Sequence, residues 1–347
     1  MMASSFRAPR GSQTTWVSPA DEEDVDFGSR KLIHSATPQP QFTCMSIKAL
    51  QIRCMRHLAI ALFLSLSASL AAADLKVASL HPLLGDLARQ VGGERVEVID
   101  LIPRNGDPHH FEPSPADLKR AADATLYLAS GMGLESYLDS LRGIIGTKAE
   151  IVEIGKDLPS IEGKCDHEGH DHGDHEHEID PHWWHSIDLF RRATTITAAR
   201  FTKADPAGAE TYTRNAAAYR TKLDELERWT RKEIARVPRD KRHLATAHAA
   251  FGYFCKDHGF EPIPVQGVNR EQMPDPKKLA ALIAELKEQQ VGAIFPEKES
   301  NPKVLQALTK DTGIKLGEPL IADGSTAESY EAMIRHNVSA IVAGLGK

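Results

Sequence analysis

From Asp74 onward, short β-branched runs alternate with amphipathic helical segments, and nothing else in the chain narrows the fold so far. LKVASL (75–80), VEVIDLI (96–102), ATLYLAS (124–130) and EIVEIG (150–155) read as strands. PLLGDLARQVGG and SPADLKRAADA between them read as helices, the second opened by Ser114 as N-cap and Pro115 at the first helical position. Such alternation builds a parallel sheet with both faces covered. The pattern returns after residue 240, with HLATA, IPVQGV, VGAIFP and IKLGEPL as strands and PDPKKLAALIAELKEQQ, NPKVLQALTKDTG and SYEAMIRHNVSAIVAGL as helices. The expected fold is α/β, with two lobes that each hold a mostly parallel four-stranded sheet and flanking helices.

Between the two repeats, Asp205-Pro206 starts a helical stretch running to about Val237, in which Tyr212, Ala216, Tyr219, Leu223 and Leu226 recur at alternating spacings of four and three. That periodicity marks a helix with one apolar stripe. Some thirty residues rising about 1.5 Å each span roughly 45 Å, the length of a whole lobe. One long rigid helix is therefore expected to join the halves, its stripe packed on both; an interaction helix for a partner is the rival reading.

The 347 residues, 41% apolar and 26% charged, are enough for two ordinary globular domains. A formal net charge of -6 leaves no basic footprint for nucleic acid. Met55-Arg56-His57 opens a cationic segment, Leu58–Leu70 is apolar or small, and Ala71-Ala72-Ala73 supplies a cleavage site. Together these read as a secretory signal peptide, too short to span a membrane as a helix. No Cys follows it, so export to the periplasm without a lipid anchor is expected. Residues 1–54 are polar and aperiodic, and a start at Met55 would make them a misannotated or disordered leader. The expected organisation is leader 1–54, signal peptide 55–73, N-terminal lobe 74–185, connecting helices 186–237 and C-terminal lobe 238–347. Cys165 and Cys255 then remain in an oxidising compartment; one disulfide and two separate thiols both stay open.

Seven of the sixteen histidines fall between Cys165 and His185 in CDHEGHDHGDHEHEIDPHWWH. Imidazole is the commonest neutral metal ligand, and His alternating with Asp, Glu and Gly cannot form a core. The loop 165–179, with His167, His170, His172, His175 and His177, is expected to gather metal beside a more ordered site. Its alternative is a solvated linker. GDPHH (106–110) follows the second strand of lobe one, and DPHWWH (180–185) follows its fourth. His248 follows the first strand of lobe two and Asp323 the last. All four candidates, His109, His182, His248 and Asp323, thus sit at carboxyl ends of strands, where open α/β sheets bind ligands. The proline before His109 and before His182 restricts the backbone that aims each ring. His110 and His185 are second choices, and His81, His243, His258 and His336 read as structural or surface residues.

These motifs resemble those of the metal-specific substrate-binding proteins of ABC importers, the zinc and manganese family, from Asp74 to the C-terminus. GDPHHFEPSP, DPHWW, AHAAFGYF and ADGS are similar to that family's four ligand motifs in turn, and the acidic His-rich loop resembles that of its zinc members. The resemblance implies two lobes bridged by one rigid helix, with metal held between them by His109, His182, His248 and Asp323. It also implies docking on a permease in the inner membrane. A monomer is expected. Trp184 and His185 depart from the usual second motif. Manganese members tend to carry a carboxylate at the third position, where this chain has His248; three imidazoles and one carboxylate favour tetrahedral Zn2+ at about 2.0–2.2 Å. The fourth donor is either Asp323 or water. Protons should compete as pH falls through about 6.5.

The expected function is a non-catalytic periplasmic carrier that captures Zn2+ for an importer, with a periplasmic zinc metallochaperone as a further candidate partner. A secreted zinc hydrolase using three histidines and an activated water is an alternative, although no H-E-x-x-H motif occurs. A zinc buffer acting through the His-rich loop alone is another.

Overall fold

The computed structural model describes residues 75–103, 105–162, 179–267, 276–298, 303–324 and 326–346. The expected leader and signal peptide, Cys165 and the five loop histidines at 167, 170, 172, 175 and 177 lie outside them. Two four-stranded parallel sheets form. The first contains β1 (Leu75–Ser79), β2 (Val96–Asp100), β3 (Leu126–Ala129) and β4 (Glu150–Glu153) in the order β2-β1-β3-β4. The second repeats that order as β6-β5-β7-β8, with β5 (His243–Thr246), β6 (Glu261–Pro264), β7 (Ala293–Phe295) and β8 (Lys315–Leu316). In each sheet the chain reverses its direction of travel around the first strand, the topology that leaves a crevice at the carboxyl edge.

The helices are α1 (Pro82–Gly92), α2 (Pro115–Arg120), α3 (Leu138–Ile145), α4 (Ile187–Ala204), α5 (Ala209–Ile234), α6 (Gly252–His258), α7 (Pro276–Glu288), α8 (Lys303–Thr312) and α9 (Tyr330–Leu345). Local chemistry sets their starts. At α2, Ser114 accepts the Asp117 amide while the Asp117 carboxylate accepts the Ser114 amide, a reciprocal capping box. Ser186 and Ser329 cap α4 and α9 through the Leu189 and Ala332 amides.

The linking helix is shorter than its sequence pattern suggests. Residues 206–208 form a 3-10 turn, because Asp205 is tied to Arg95 at 2.5 Å and to the Tyr212 hydroxyl at 2.6 Å. The remaining 26 residues of α5 span about 39 Å. All five stripe residues are buried, and α5 packs on α1 from the first half, α9 from the second and α4 beside it.

One continuous apolar core, containing Leu128, Trp183, Phe190, Tyr219, Phe295 and Tyr330, runs through both sheets, while a smaller cluster lies on the outer face of each. Phe190 and Tyr330 stack with centroids 3.5 Å apart and planes at 2°, and the Tyr330 hydroxyl donates to the Trp184 carbonyl at 2.9 Å. Emptying such a contact typically costs about 3–5 kcal/mol for Phe→Ala. The two carboxyl edges are therefore held at a fixed separation by shared packing.

Candidate metal centre

Two Asp-Pro-His turns present histidines by the same local device. Asp107 Oδ1 accepts the His109 amide at 2.9 Å, and Asp180 Oδ1 accepts the His182 amide at 2.9 Å. The intervening proline fixes φ, so the ring two residues beyond the aspartate leaves the turn in one direction. His248 follows β5, and Asp323 follows the short β8 segment by way of a bridge between Leu320 and Glu297.

These four side chains meet. His109 Nε2 is 3.2 Å from His182 Nε2, which is 3.3 Å from His248 Nε2. Asp323 Oδ1 lies 3.6 Å from His109 Nε2 and 3.8 Å from His182 Nε2, and one donor atom from each residue falls within 4.8 Å of every other. Donors about 2.0–2.1 Å from a tetrahedral ion stand about 3.3 Å apart, so these separations suit one small cation at their centre. His182, His248 and Asp323 are fully buried, and the His109 side chain is 8% exposed.

Two further carboxylates fix the protons. His182 Nδ1 lies 2.8 Å from Asp180 Oδ1, and His248 Nδ1 lies 2.6 Å from Glu297 Oε2, with the His248 amide donating to Glu297 Oε1 at 3.0 Å. Each carboxylate draws the ring proton to Nδ1 and leaves a lone pair on Nε2 facing the other rings. Facing lone pairs repel one another, and a cation between them turns the repulsion into ligation. Burial, reinforced by His248 and His109, holds His182 well below the ordinary imidazole range, so it remains a neutral donor. Burial also pushes the Asp180 carboxyl up to about 7, against the pull of the His182 amide. The lobes meet closely here. At Gly252 a Cβ would come within 2.5 Å of Asp180 Oδ2, and the Tyr253 hydroxyl donates to the Asp180 carbonyl at 3.0 Å.

The second-choice histidines stand apart. His110 is exposed, with Nδ1 3.1 Å from Asp107 Oδ2. His185 is buried, but its Nε2 faces the Ala322 carbonyl at 2.8 Å, which also accepts from Trp184 Nε1 at 2.8 Å. Adjacent side chains leave the chain in different directions, so neither reaches the cluster. His185 thus braces the residue before Asp323. His81, which reads from sequence as structural or surface, is buried next to the centre, and Glu297, which the sequence reading passes over, is buried against His248. Both share the signal that revealed the others, a position just past the carboxyl end of a strand. Cys255 is buried on α6.

The profile of the family described as "Zinc-uptake complex component A periplasmic" (ZnuA) matches residues 77–344. The manganese-binding lipoprotein MntA of Bacillus subtilis is 32% identical over 288 residues, covering 78% of this chain and 90% of that protein. The manganese ABC transporter substrate-binding lipoprotein PsaA of Streptococcus pneumoniae is 25% identical over 286 residues, 79% of this chain and 90% of its own length. Among solved structures, the periplasmic zinc-binding protein TroA from Treponema pallidum superposes with a TM-score of 0.69 at 24% identity, over 79% of this chain and 99% of that one. The laminin-binding protein Lmb of Streptococcus agalactiae, described as an adhesin with metal-transporting activity, gives 0.69 at 25% identity, over 78% and 99%.

Proposed function

The chain belongs to the periplasmic zinc-uptake component A family, and from that premise we propose that its cargo is Zn2+, held by His109, His182, His248 and Asp323 between the two lobes. Members of the family are solute-binding proteins rather than enzymes, which removes the hydrolase alternative. They are the metal-binding components of ABC importers and work with a membrane permease and ATPase. The relatives carry both zinc and manganese in their names, so the metal must be argued from this chain's own donors.

The observation that carries zinc is the donor set itself, three imidazole nitrogens against one carboxylate oxygen. Oxygen-rich sites suit manganese, whereas imidazole suits zinc, and four donors at these separations suit tetrahedral coordination. Capture in the periplasm follows from the signal peptide expected at 55–73 and the lack of a cysteine behind it. The lobes 74–185 and 238–347 would hold the ion while 186–237 keeps them in register. The histidines of loop 165–179 would gather metal for this centre, and a loading metallochaperone is no part of the proposed route.

Metal analysis of protein isolated from its own cells without added metal should find close to one zinc per chain. Manganese in its place would overturn the zinc reading. Deleting residues 166–178 should slow zinc loading while leaving tight binding; loss of all tight binding would favour a buffer acting through the loop alone.

A further inference from the structure

His81 follows β1 at the same carboxyl edge as the proposed ligands, is 1% exposed, and caps α1 by accepting the Leu83 amide on Nδ1 at 3.2 Å. A ring nitrogen that accepts presents its lone pair, so in the neutral ring the proton sits on Nε2. Burial keeps the ring neutral by lowering it to about 3. His81 Nε2–H is thus a standing donor, and it finds no hydrogen-bond partner among the described residues. A buried donor left unmet is costly and calls for an explanation.

The surroundings show what that donor serves. The His81 ring lies 4.4 Å from Trp184, whose ring lies 5.2 Å from His182. Gly324, at φ 77°, packs so tightly on Leu83 that a Cβ would come within 2.5 Å of the Leu83 Cγ, which brings Asp323 to the start of α1. On the other side of Asp323, the Ala322 carbonyl accepts from Trp184 Nε1 at 2.8 Å, so both residues that flank Asp323 pack on groups in contact with His81.

We propose that His81 is a positioning residue for Asp323: its Nε2–H, through one water, holds one carboxylate oxygen while the other faces the metal. This role rests on the zinc reading above. A carboxylate held in this way binds through one oxygen, and three imidazoles then complete a four-coordinate shell. A carboxylate free to turn can offer both oxygens and raise the coordination number, which favours manganese. His81 does for Asp323 what Asp180 and Glu297 do for His182 and His248. It is not itself a ligand, since an accepting Nε2 would force a proton onto Nδ1 against the Leu83 N–H.

Two substitutions separate the cap from the donor. His81→Asn keeps an acceptor for the Leu83 amide and removes the distal N–H; His81→Gln keeps a distal N–H and removes the cap. Wild type and both variants are compared by thermal melting, by zinc and manganese affinity, and by absorption of the Co2+-loaded proteins, whose d–d bands are intense at four-coordination and weak above it. His81→Asn should melt like the wild type, lose about 10–100-fold in zinc affinity, narrow the zinc-to-manganese ratio and show weakened cobalt bands. His81→Gln should melt lower but keep the ratio and the spectrum. A wild-type spectrum and zinc affinity in His81→Asn, or equal metal defects in both variants, overturns the proposal. Imidazole 15N NMR of the wild type gives a check that needs no variant to fold: the proton should stay on Nε2 when zinc binds, and its loss from Nε2 would also overturn it. Manganese in the wild-type protein would defeat the zinc reading alone, and the cobalt comparison would still decide the role of His81 separately.

Discussion

The two Asp-Pro-His turns begin alike and finish differently. In both, the aspartate accepts the amide of the histidine two residues on at 2.9 Å. At the buried turn the same Asp180 oxygen also takes the His182 ring, whereas at the rim Asp107 takes the ring of the neighbouring His110. His182 is therefore locked in tautomer and direction, as His248 is by Glu297, while His109 is aimed by its backbone. One sequence motif thus yields a fixed donor where it is buried and a more adaptable one where water reaches it.

Several measurements would break or sharpen this contrast, from the largest expected effect to the smallest. His182→Ala or His248→Ala should weaken zinc binding by more than the roughly 100-fold that loss of an outer-shell partner costs; competition against a chelator of known affinity checks this, and a near-wild-type value for either would remove that residue from the site. Asp180→Asn and Glu297→Gln should each cost about 10–100-fold by the loss of a carboxyl partner to the ring. Asp107→Asn, which keeps the turn acceptor and whose ring partner is the exposed His110, should cost less than either. Equal losses at Asp107 and Asp180 would erase the distinction between the turns.

Acid tests the buried histidines through stability. Burial holds the folded pKa of His182 well below the ordinary value and lowers those of His81 and His185 to about 3. The unfolded chain takes up protons near 6.5 that the folded chain refuses, so stability is full above that value and is lost progressively as pH falls below it. The melting temperature of chelator-treated protein should therefore drop between pH 7 and pH 5; an unchanged value would mean that these rings are not held neutral. The same burial means that competition by protons for His182 sets in below the 6.5 expected from an unperturbed imidazole. The smallest effect is expected at Tyr330→Phe, which removes one buried hydrogen bond to the Trp184 carbonyl; about 1 kcal/mol of stability should go, read by denaturant melts, with zinc affinity nearly unchanged.

Much of the fold was legible in the chain because its signals are local. Strand–helix alternation placed β1 to β5 and β7 within about two residues, and the stripe from Tyr212 to Leu226 is buried in full. The second sheet's edges were read less well. The strand expected at IPVQGV forms instead at Glu261–Pro264, where prolines 262 and 264 are tolerated because β6 is an edge strand. IKLGEPL keeps only two paired residues, since Gly317 closes onto the Phe295 ring and the chain leaves the sheet until Leu320. Helices α3 and α6, eight and seven residues long, are too short for periodicity to reveal.

The four cluster residues were legible from strand ends. Their supporting shell was not. Glu297 sits in the charged run EKES, which reads as a solvated face until packing brings it under His248. His81 looks like an isolated loop histidine until α9 and the Asp323 loop close over α1. Such pairings join residues far apart in the chain, and no local pattern records them.

The most direct test is a crystal structure of the zinc-loaded protein with anomalous scattering collected at the zinc and manganese edges. One zinc peak should appear between the lobes, within about 2.0–2.2 Å of the Nε2 atoms of His109, His182 and His248 and of an Asp323 oxygen. A peak held by other donors, or none between the lobes, would contradict the centre described above.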